Sequence, residues 1–90
     1  MVLRIRLNLP MVQSLKEKRR ILKSLITRIR NKFNVSIAEV AENDSLRTAM
    51  LGAAIVANNS AFADEVATKV MNRIDNISDV VLAEFKTESY

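Results

Sequence analysis

Residues 2–9 read VLRIRLNL, and from Leu3 to Leu9 apolar and polar side chains alternate without a break. A side-chain period of two predicts a strand with one face buried. The side chains expected on its buried face are Leu3, Ile5, Leu7 and Leu9. Pro10 ends the strand, because proline has no N–H to donate to a neighbouring strand. The fold of the remaining chain can be worked out from this first strand.

A helix start follows in the segment SLKEKRR, residues 14–20. Ser14 offers an N-cap hydroxyl, and Glu17 stands three residues later, which is the spacing of a capping box. The helix is predicted from Leu15 to about Phe33. At about 100° per residue, one stripe collects Leu15, Leu22, Leu25, Ile26, Ile29 and Phe33. Lys18 projects near this stripe, so we expect its stem to lie along the core with its ammonium reaching solvent.

The rest of the chain predicts three more strands and a second helix. Residues 35–42 are β-prone, and residues 47–57 are apolar at both parities, as in a central strand covered at least in part on both sides. The alanine-rich composition of that segment leaves a helix open as an alternative. Residues 58–60, Asn-Asn-Ser, offer N-caps for a helix over about 61–76, and residues 80–86 form the last strand.

Several residues within these elements carry their own expectations. Gly52, the only glycine, predicts a bulge or a close approach of another backbone. Asp64 and Glu65 are placed in the first turn of the second helix, where the helix dipole favours negative charge. The buried face of that helix is predicted to comprise Phe62, Ala63, Val66, Ala67, Val70 and Ile74. Residues 87–90 are expected to fray.

The element order is βαββαβ over residues 1–90, without a linker or repeat, which predicts a single domain. Two right-handed crossovers place both helices on one face of a four-stranded antiparallel sheet. The expected fold is therefore the α+β ferredoxin-like sandwich, with the first and third strands central. The other face of the sheet is left without a helix to cover it.

That open face is predicted to carry an apolar strip in either register of the third strand. The two alternatives are Met50, Gly52, Ala54 and Val56, or Ala49, Leu51, Ala53 and Ile55. Exposed apolar patches usually mark contacts, so we expect a homodimer through the sheet faces. The interface is predicted to include Arg4, Arg6, Met50, Ala54 and Val56. The two arginines either extend a basic surface or pair with Glu39, Glu84 or a partner subunit's acid, and pairing is favoured.

Charge is distributed unevenly along the sequence. Residues 1–33 hold ten cations against one acid, a net +9, and residues 34–90 hold four against nine, a net −5, which gives the overall +4. One flank of the first helix collects Lys16, Arg19, Arg20, Lys23 and Arg30. Like charges spaced four residues apart repel by a few tenths of a kcal/mol, roughly, which favours an anionic partner over a merely solvated face. RNA is the favoured partner, with an acidic protein surface or no partner as alternatives.

The composition argues against an enzyme. The sequence contains no cysteine and no histidine, and no acidic cluster has metal-ligand spacing. Acylphosphatases share this size and fold, but residues 9–14 lack the glycines of their phosphate-binding loop. We therefore expect no catalytic residue, cofactor or metal. No signal peptide or membrane span is recognisable, which predicts a cytoplasmic protein.

The four aromatic residues also limit how RNA could be recognised. They are Phe33, Phe62, Phe85 and Tyr90, and none falls on a predicted central strand. Base stacking on the sheet is therefore not expected, and contact with RNA should be dominated by its phosphate backbone.

Three segments together resemble a known family. SLKEKRR at 14–20, FNVSIAEV at 33–40 and LGAAIVANN at 51–59 are similar to the YlxP-like family of small bacterial proteins, a domain of unknown function. The resemblance covers nearly the whole chain and implies a ferredoxin-like fold. In many Gram-positive bacteria the family's gene lies between those for translation initiation factor 2 and ribosome-binding factor A, which implies a role in ribosome maturation or RNA binding. Members often carry tryptophan where this chain has Leu46, so a contact made there elsewhere is in doubt.

Two functional hypotheses follow from the sequence. The first is a small RNA-binding protein that holds ribosomal RNA, or ribosomal particles, through its first helix and dimerises through its sheet. The second is a homo-oligomeric interaction module whose basic helix docks on an acidic protein surface. Neither hypothesis involves a membrane or recognition of a DNA sequence.

Overall fold

The chain folds into two layers, a four-stranded sheet and a pair of helices packed on one of its faces. The computed structural model describes residues 1–88. In chain order, the elements are β1 (Val2–Asn8), α1 (Leu15–Lys32), β2 (Ser36–Ala41), β3 (Thr48–Ala54), α2 (Ser60–Asp75) and β4 (Val81–Glu88).

The strands lie in the order β2-β3-β1-β4, and every neighbouring pair is antiparallel. β1 and β3 are therefore the central strands, as the element order predicts. Ile5 in β1 lies opposite Leu51 in β3 on one side and Phe85 in β4 on the other. The predicted α+β ferredoxin-like sandwich is confirmed, and so is a strand rather than a helix at residues 48–54.

The core lies between the helices and one parity of the two central strands. Its strand residues include Leu3, Ile5, Leu7, Ala49, Leu51 and Ala53, all buried. Each leucine or isoleucine placed there contributes about 1.5–3 kcal/mol through removal of apolar surface from water. The structure thus decides between the two registers of the third strand, because Met50, Gly52 and Ala54 are left on the open face.

The predicted start of α1 is confirmed by its cap. The Oγ atom of Ser14 accepts a hydrogen bond of 3.1 Å from the main-chain N–H of Glu17. The helix ends at Lys32, and the extended backbone of Phe33 caps it. Its buried face includes Ile21, which the predicted stripe omitted, while Leu15, Ile26 and Phe33 are only partly buried. The stripe is displaced because α1 packs against α2 as well as against the sheet.

α2 begins at Ser60, one residue earlier than predicted. The Oδ1 atom of Asn59 caps it by accepting a hydrogen bond of 2.8 Å from the N–H of Phe62. Asp64 and Glu65 fall outside the first turn of the helix, so their predicted placement there is wrong. The residues that α2 buries are Ala63, Ala67, Val70 and Ile74.

Gly52 lies beneath a side chain of the edge strand β2. The register between β2 and β3 shifts between Glu39 and Ala41, so Val40 has no residue opposite it. A Cβ atom at position 52 would lie 3.0 Å from Cγ1 of Val40. The irregularity predicted at Gly52 is therefore in the neighbouring strand, and the close approach is made by a side chain rather than a backbone.

The last strand is longer than predicted. Thr87 and Glu88 pair with Leu3 and Val2 of β1, so the expectation that these two residues fray is wrong. Ser89 and Tyr90, for which fraying was also expected, lie outside the described residues.

Candidate nucleic-acid interface

Four cations project from the first half of α1 and form what we call the basic stripe: Lys16, Arg19, Arg20 and Lys23. All four are exposed, and they line one open depression of about 510 Å³. Within residues 1–88, none of their side chains has an ion-pair or hydrogen-bond partner. The structure therefore brings these four predicted residues together, with the single acid Glu17 beside them and no salt bridge to any of the four.

The basic stripe keeps an excess of positive charge because α1 contains one acid, Glu17. Lys16 lies one turn from Arg20, and Arg19 one turn from Lys23, so the like charges are close neighbours. Along the axis the four residues extend over about 10 Å, at 1.5 Å per residue. This length is comparable to the Debye length at physiological salt, so the four charges act on a ligand as one positive surface.

Arg30, the fifth predicted contact, has a different role. Its Nη2 atom donates a hydrogen bond of 2.9 Å to the main-chain carbonyl of Ile37. Ile37 belongs to β2, which is an edge strand, so this carbonyl has no further strand to pair with. Arg30 thus ties the second half of α1 to the edge of the sheet, and only part of its donor capacity is left for a ligand.

The expectation for Lys18 is wrong. Its side chain is 1% exposed, and the ammonium does not reach solvent. Nζ donates hydrogen bonds to the main-chain carbonyls of Glu42 at 2.7 Å and Ser45 at 2.6 Å. It also lies 3.1 Å from Oε2 of Glu39. The residue does not snorkel because the β2–β3 connection covers it and supplies the oxygens that solvent would otherwise provide.

The β2–β3 connection is shaped to meet Lys18. Glu42 has φ of 63°, the left-handed region that only a few per cent of non-glycine residues adopt. In that conformation its carbonyl accepts from both Lys18 and the N–H of Ser45, at 2.7 and 3.0 Å. Its carboxylate accepts a hydrogen bond of 2.6 Å from Nη1 of Arg6. The first half of α1 is thereby fixed to a defined turn next to the sheet.

Arg4 and Arg6 pair within the chain, as favoured, although with different acids from those expected. Arg4 lies 3.4 Å from Glu88, and Arg6 lies 2.6 Å from Glu42. Of the expected partners, Glu39 pairs with Lys18 instead, and Glu84 pairs with Lys86 at 2.8 Å. These arginines therefore belong to a mixed-sign surface and do not extend the basic stripe.

The carboxyl group of Glu84 is also influenced by that surface. The hydrogen bond and the charge of Lys86 hold the pKa of Glu84 below its usual value of 4.5, and Arg6 acts in the same direction. Arg6 lies directly opposite Glu84 in the β1–β4 pair.

The residues predicted to form a dimer interface are only partly brought together. Met50 and Ala54 lie on the open face in line with Gly52, and the 61% exposed Val40 stands beside them. Val56 is 92% exposed but lies beyond the end of β3, where it lines a groove next to α2. Its predicted place in the apolar strip is wrong, because the strand ends at Ala54.

The sequence patterns did not predict the groove that lies between the end of α1 and the start of α2. It has a volume of about 510 Å³, and its walls include Phe33, Val56, Phe62 and Val66 together with Lys32 and Lys69. Phe62 was predicted in the core, but it is 52% exposed. It lies at the margin of the apolar arc of α2, about 80° around the axis from Val70 at 100° per residue. This position at the margin of the arc is the sequence feature that could have indicated an exposed Phe62.

Within residues 1–88, no group of acidic side chains is arranged to hold a metal ion. Neither helix in that part of the chain has the length and hydropathy to cross a membrane.

Comparison with known proteins gives the family. The sequence pattern of the family described as "Protein of unknown function (DUF503)" matches residues 1–87. The chain belongs to the DUF503 family. The chain is also similar to "Uncharacterized protein YlxP" of Bacillus subtilis (strain 168), with 36% identity over 75 residues, 83% of this chain and 82% of that protein. The YlxP-like resemblance of the three sequence segments is therefore confirmed, and DUF503 membership names no activity.

Proposed function

We propose that this DUF503 protein is a non-enzymatic, cytoplasmic RNA-binding protein that holds ribosomal RNA or ribosomal particles through the basic stripe. The observation that carries the proposal is the absence, within the described chain, of any partner for the stripe's four cations. Elsewhere in the described chain, Arg4, Arg6, Lys69 and Lys86 pair with acids, and the cations outside the stripe without an ion pair, such as Lys32 and Arg73, do not form a comparable row. Cations left in one row on a helix suit a polyanion with regularly spaced charges.

The mechanism is electrostatic positioning. Each side chain that contacts a phosphate releases condensed counterions, which supplies affinity without reading the base sequence. Lys18 and Arg30 contribute indirectly, because they hold α1 against the β2–β3 connection and the edge strand β2 and thus fix the orientation of the stripe. The gene neighbourhood implied by the YlxP-like resemblance supports ribosomal RNA as the partner.

The test is a filter-binding titration against ribosomal RNA fragments at rising salt. Four phosphate contacts predict a slope of log affinity on log salt of about −3 to −4. Changing all four residues, Lys16→Glu, Arg19→Glu, Arg20→Glu and Lys23→Glu, is expected to abolish binding while the circular dichroism spectrum stays unchanged. Unaltered affinity in this folded variant would remove the proposal.

A matched pair of variants separates the stripe from net charge. Arg20→Gln and Lys86→Gln each remove one exposed cation, one from α1 and one from the opposite layer of the molecule. Arg20→Gln should reduce the salt slope by about one, and Lys86→Gln should leave it unchanged. Equal effects of the two would mean that overall charge, and not the stripe, attracts the RNA.

The second candidate is docking of the basic stripe on an acidic protein surface. The same exposed cations favour it, and the salt titration distinguishes it from RNA binding. A protein that shows no saturable affinity for RNA fragments at low salt, yet requires Arg19 and Arg20 to bind an acidic protein, would be of this second kind.

We also propose a homodimer through the open sheet faces. Met50, Gly52 and Ala54 form an apolar strip there without a helix to cover it, and pairing two such strips would remove both from water. The helical layers would then point outward on opposite sides, with one basic stripe on each. Light scattering at micromolar concentration should give twice the chain mass of 10.1 kDa, and Ala54→Arg should halve it. A wild-type monomer would refute the dimer.

A further inference from the structure

The groove between α1 and α2 combines exposed aromatic surface with cations. Phe62 from α2 and Val56 after β3 are both more than half exposed, at 52% and 92%. Phe33, at the end of α1, is partly buried on the same groove. An aromatic ring left this exposed forgoes part of the stabilisation that burial in the core would give it. The groove therefore offers apolar surface that the fold itself does not cover.

Two lysines and one acid, Glu65, border that apolar surface. Lys32 of α1 and Lys69 of α2 line the groove. Both also line an adjoining depression of about 260 Å³, together with Arg73. Lys69 is paired with Glu65 at 3.0 Å. Within residues 1–88, the side chains of Lys32 and Arg73 have no acidic partner. An occupant of this site should thus have both an apolar face and negative charge.

The groove and the basic stripe lie on opposite flanks of the same helix. Lys23 and Lys32 are nine residues apart, which places them about 14 Å apart along the axis and on opposite sides of it. The exposed arc between these flanks contains no acid, because Glu17 is the only one in α1 and lies at its first turn. One polyanion can therefore pass over α1 from the stripe to the groove without meeting negative charge.

We propose that the groove binds an unpaired nucleotide of the RNA, whose base stacks on Phe62 and whose phosphates lie against Lys32 and Arg73. This inference rests on the proposed RNA binding and adds a structural preference to it. Bases stack on aromatic side chains with little dependence on their identity, and adjacent cations then neutralise the backbone. We favour a nucleotide over an acidic peptide because a single RNA molecule, already proposed to bind the basic stripe, would then also occupy the groove on the other flank of α1. The RNA bound best is a stem whose phosphates lie along the stripe, next to an unpaired loop.

The test compares a stem–loop RNA with a blunt duplex of the same stem. The wild-type protein should bind the stem–loop more tightly. Phe62→Ala should weaken stem–loop binding by about 5- to 100-fold, the loss typical of one aromatic platform, and leave duplex binding unchanged. Phe62→Tyr retains a stacking ring and should stay close to wild type. Met11→Ala is the matched control, because Met11 is 79% exposed and lies outside the groove.

The salt dependence separates the two kinds of contact. Phe62→Ala should leave the stem–loop salt slope unchanged, because no phosphate contact is lost, whereas Lys32→Gln should reduce it by about one. Duplex binding by wild type without any preference for the stem–loop would overturn this inference and leave the proposed function standing. Equal weakening of both RNAs by Phe62→Ala would also overturn it, since the residue would then act on the fold. Failure of wild type to bind either RNA would overturn the proposed function itself.

Discussion

The Nζ atom of Lys18 lies 2.6 Å from the main-chain carbonyl oxygen of Ser45, although the two residues are 27 positions apart in the sequence. The contact crosses from the helical layer to the connection between β2 and β3. It is one of three that this buried ammonium makes, the others being with the carbonyl of Glu42 and the carboxylate of Glu39. Lys18, the least exposed cation of residues 14–20, thus has a structural role.

Replacing Lys18 by methionine should destabilise the protein strongly. The stem would still fill its space, but two carbonyls and the mostly buried carboxylate of Glu39 would lose their cation. Breaking a buried ion pair from one side costs about 3 kcal/mol or more, so urea denaturation should show a loss of that size in the free energy of unfolding. Lys16→Met, an exposed neighbour, should change it by less than about 0.5 kcal/mol. Adding Glu39→Gln to Lys18→Met should recover part of the loss, and no recovery would contradict the ion-pair account.

Replacing Arg30 should lower the stability of the protein, whereas replacing Arg20 should weaken RNA binding. Arg30→Met removes the hydrogen bond to the carbonyl of Ile37, which should lower the free energy of unfolding by about 1 kcal/mol. Arg20→Met should leave stability unchanged and reduce the salt slope of RNA binding by about one. Denaturation and filter binding on both variants check this. A larger loss of RNA affinity in folded Arg30→Met than in Arg20→Met would show that the stripe extends to the end of the helix.

Gly52→Ala should be unfavourable because of Val40. Alanine in a strand is ordinarily more stable than glycine by about 0.5–1 kcal/mol, but here its Cβ would meet Cγ1 of Val40 at 3.0 Å. Val40→Ala removes that obstacle. In the Val40→Ala background, Gly52→Ala should therefore stabilise the protein, and a double-mutant cycle by urea denaturation should give a favourable coupling of about 1 kcal/mol. Additive effects would mean that the Val40 side chain can move away from residue 52 without lowering the free energy of unfolding.

Lys86→Met should raise the pKa of Glu84 toward its usual 4.5, because Lys86 is the main cause of the lowered value. In the wild type, the depressed folded-state pKa gives a stabilisation that is complete above pH 4.5 and is lost as the pH falls through the lower folded value. The chemical shift of the Glu84 carboxyl carbon, followed by NMR through an acid titration, measures this pKa in the wild type and in Lys86→Met. A midpoint at 4.5 in the wild type would contradict the effect of Lys86.

The fold was largely predictable because its signals are local. The period of two in residues 3–9, the cap at Ser14 and the asparagines before α2 each determine an element without reference to the others. The register of β3 was not predictable, because Met50 and Leu51 are both apolar and only packing against the helices decides which is buried.

The candidate site was predictable only where a side chain makes no tertiary contact. The cations of the basic stripe are exposed because nothing else in the fold reaches them. The environments of Lys18 and Phe62 depend on distant segments, the turn at Glu42 and the end of β3 respectively. Helical periodicity places both residues near an apolar arc, but it carries no information about what lies at the ends and margins of that arc.

The oxygens that Lys18 holds in the turn belong to the main chain, so the side chains at positions 42 and 45 can vary without removing them. The left-handed backbone at position 42 also suits glycine or asparagine, although either residue would remove the ion pair with Arg6. Inserting or deleting a single residue between β2 and β3 would instead displace the acceptors by about one Cα–Cα step of 3.8 Å, out of reach of the ammonium. Evolution of this hairpin should therefore conserve its number of residues more strictly than their identity.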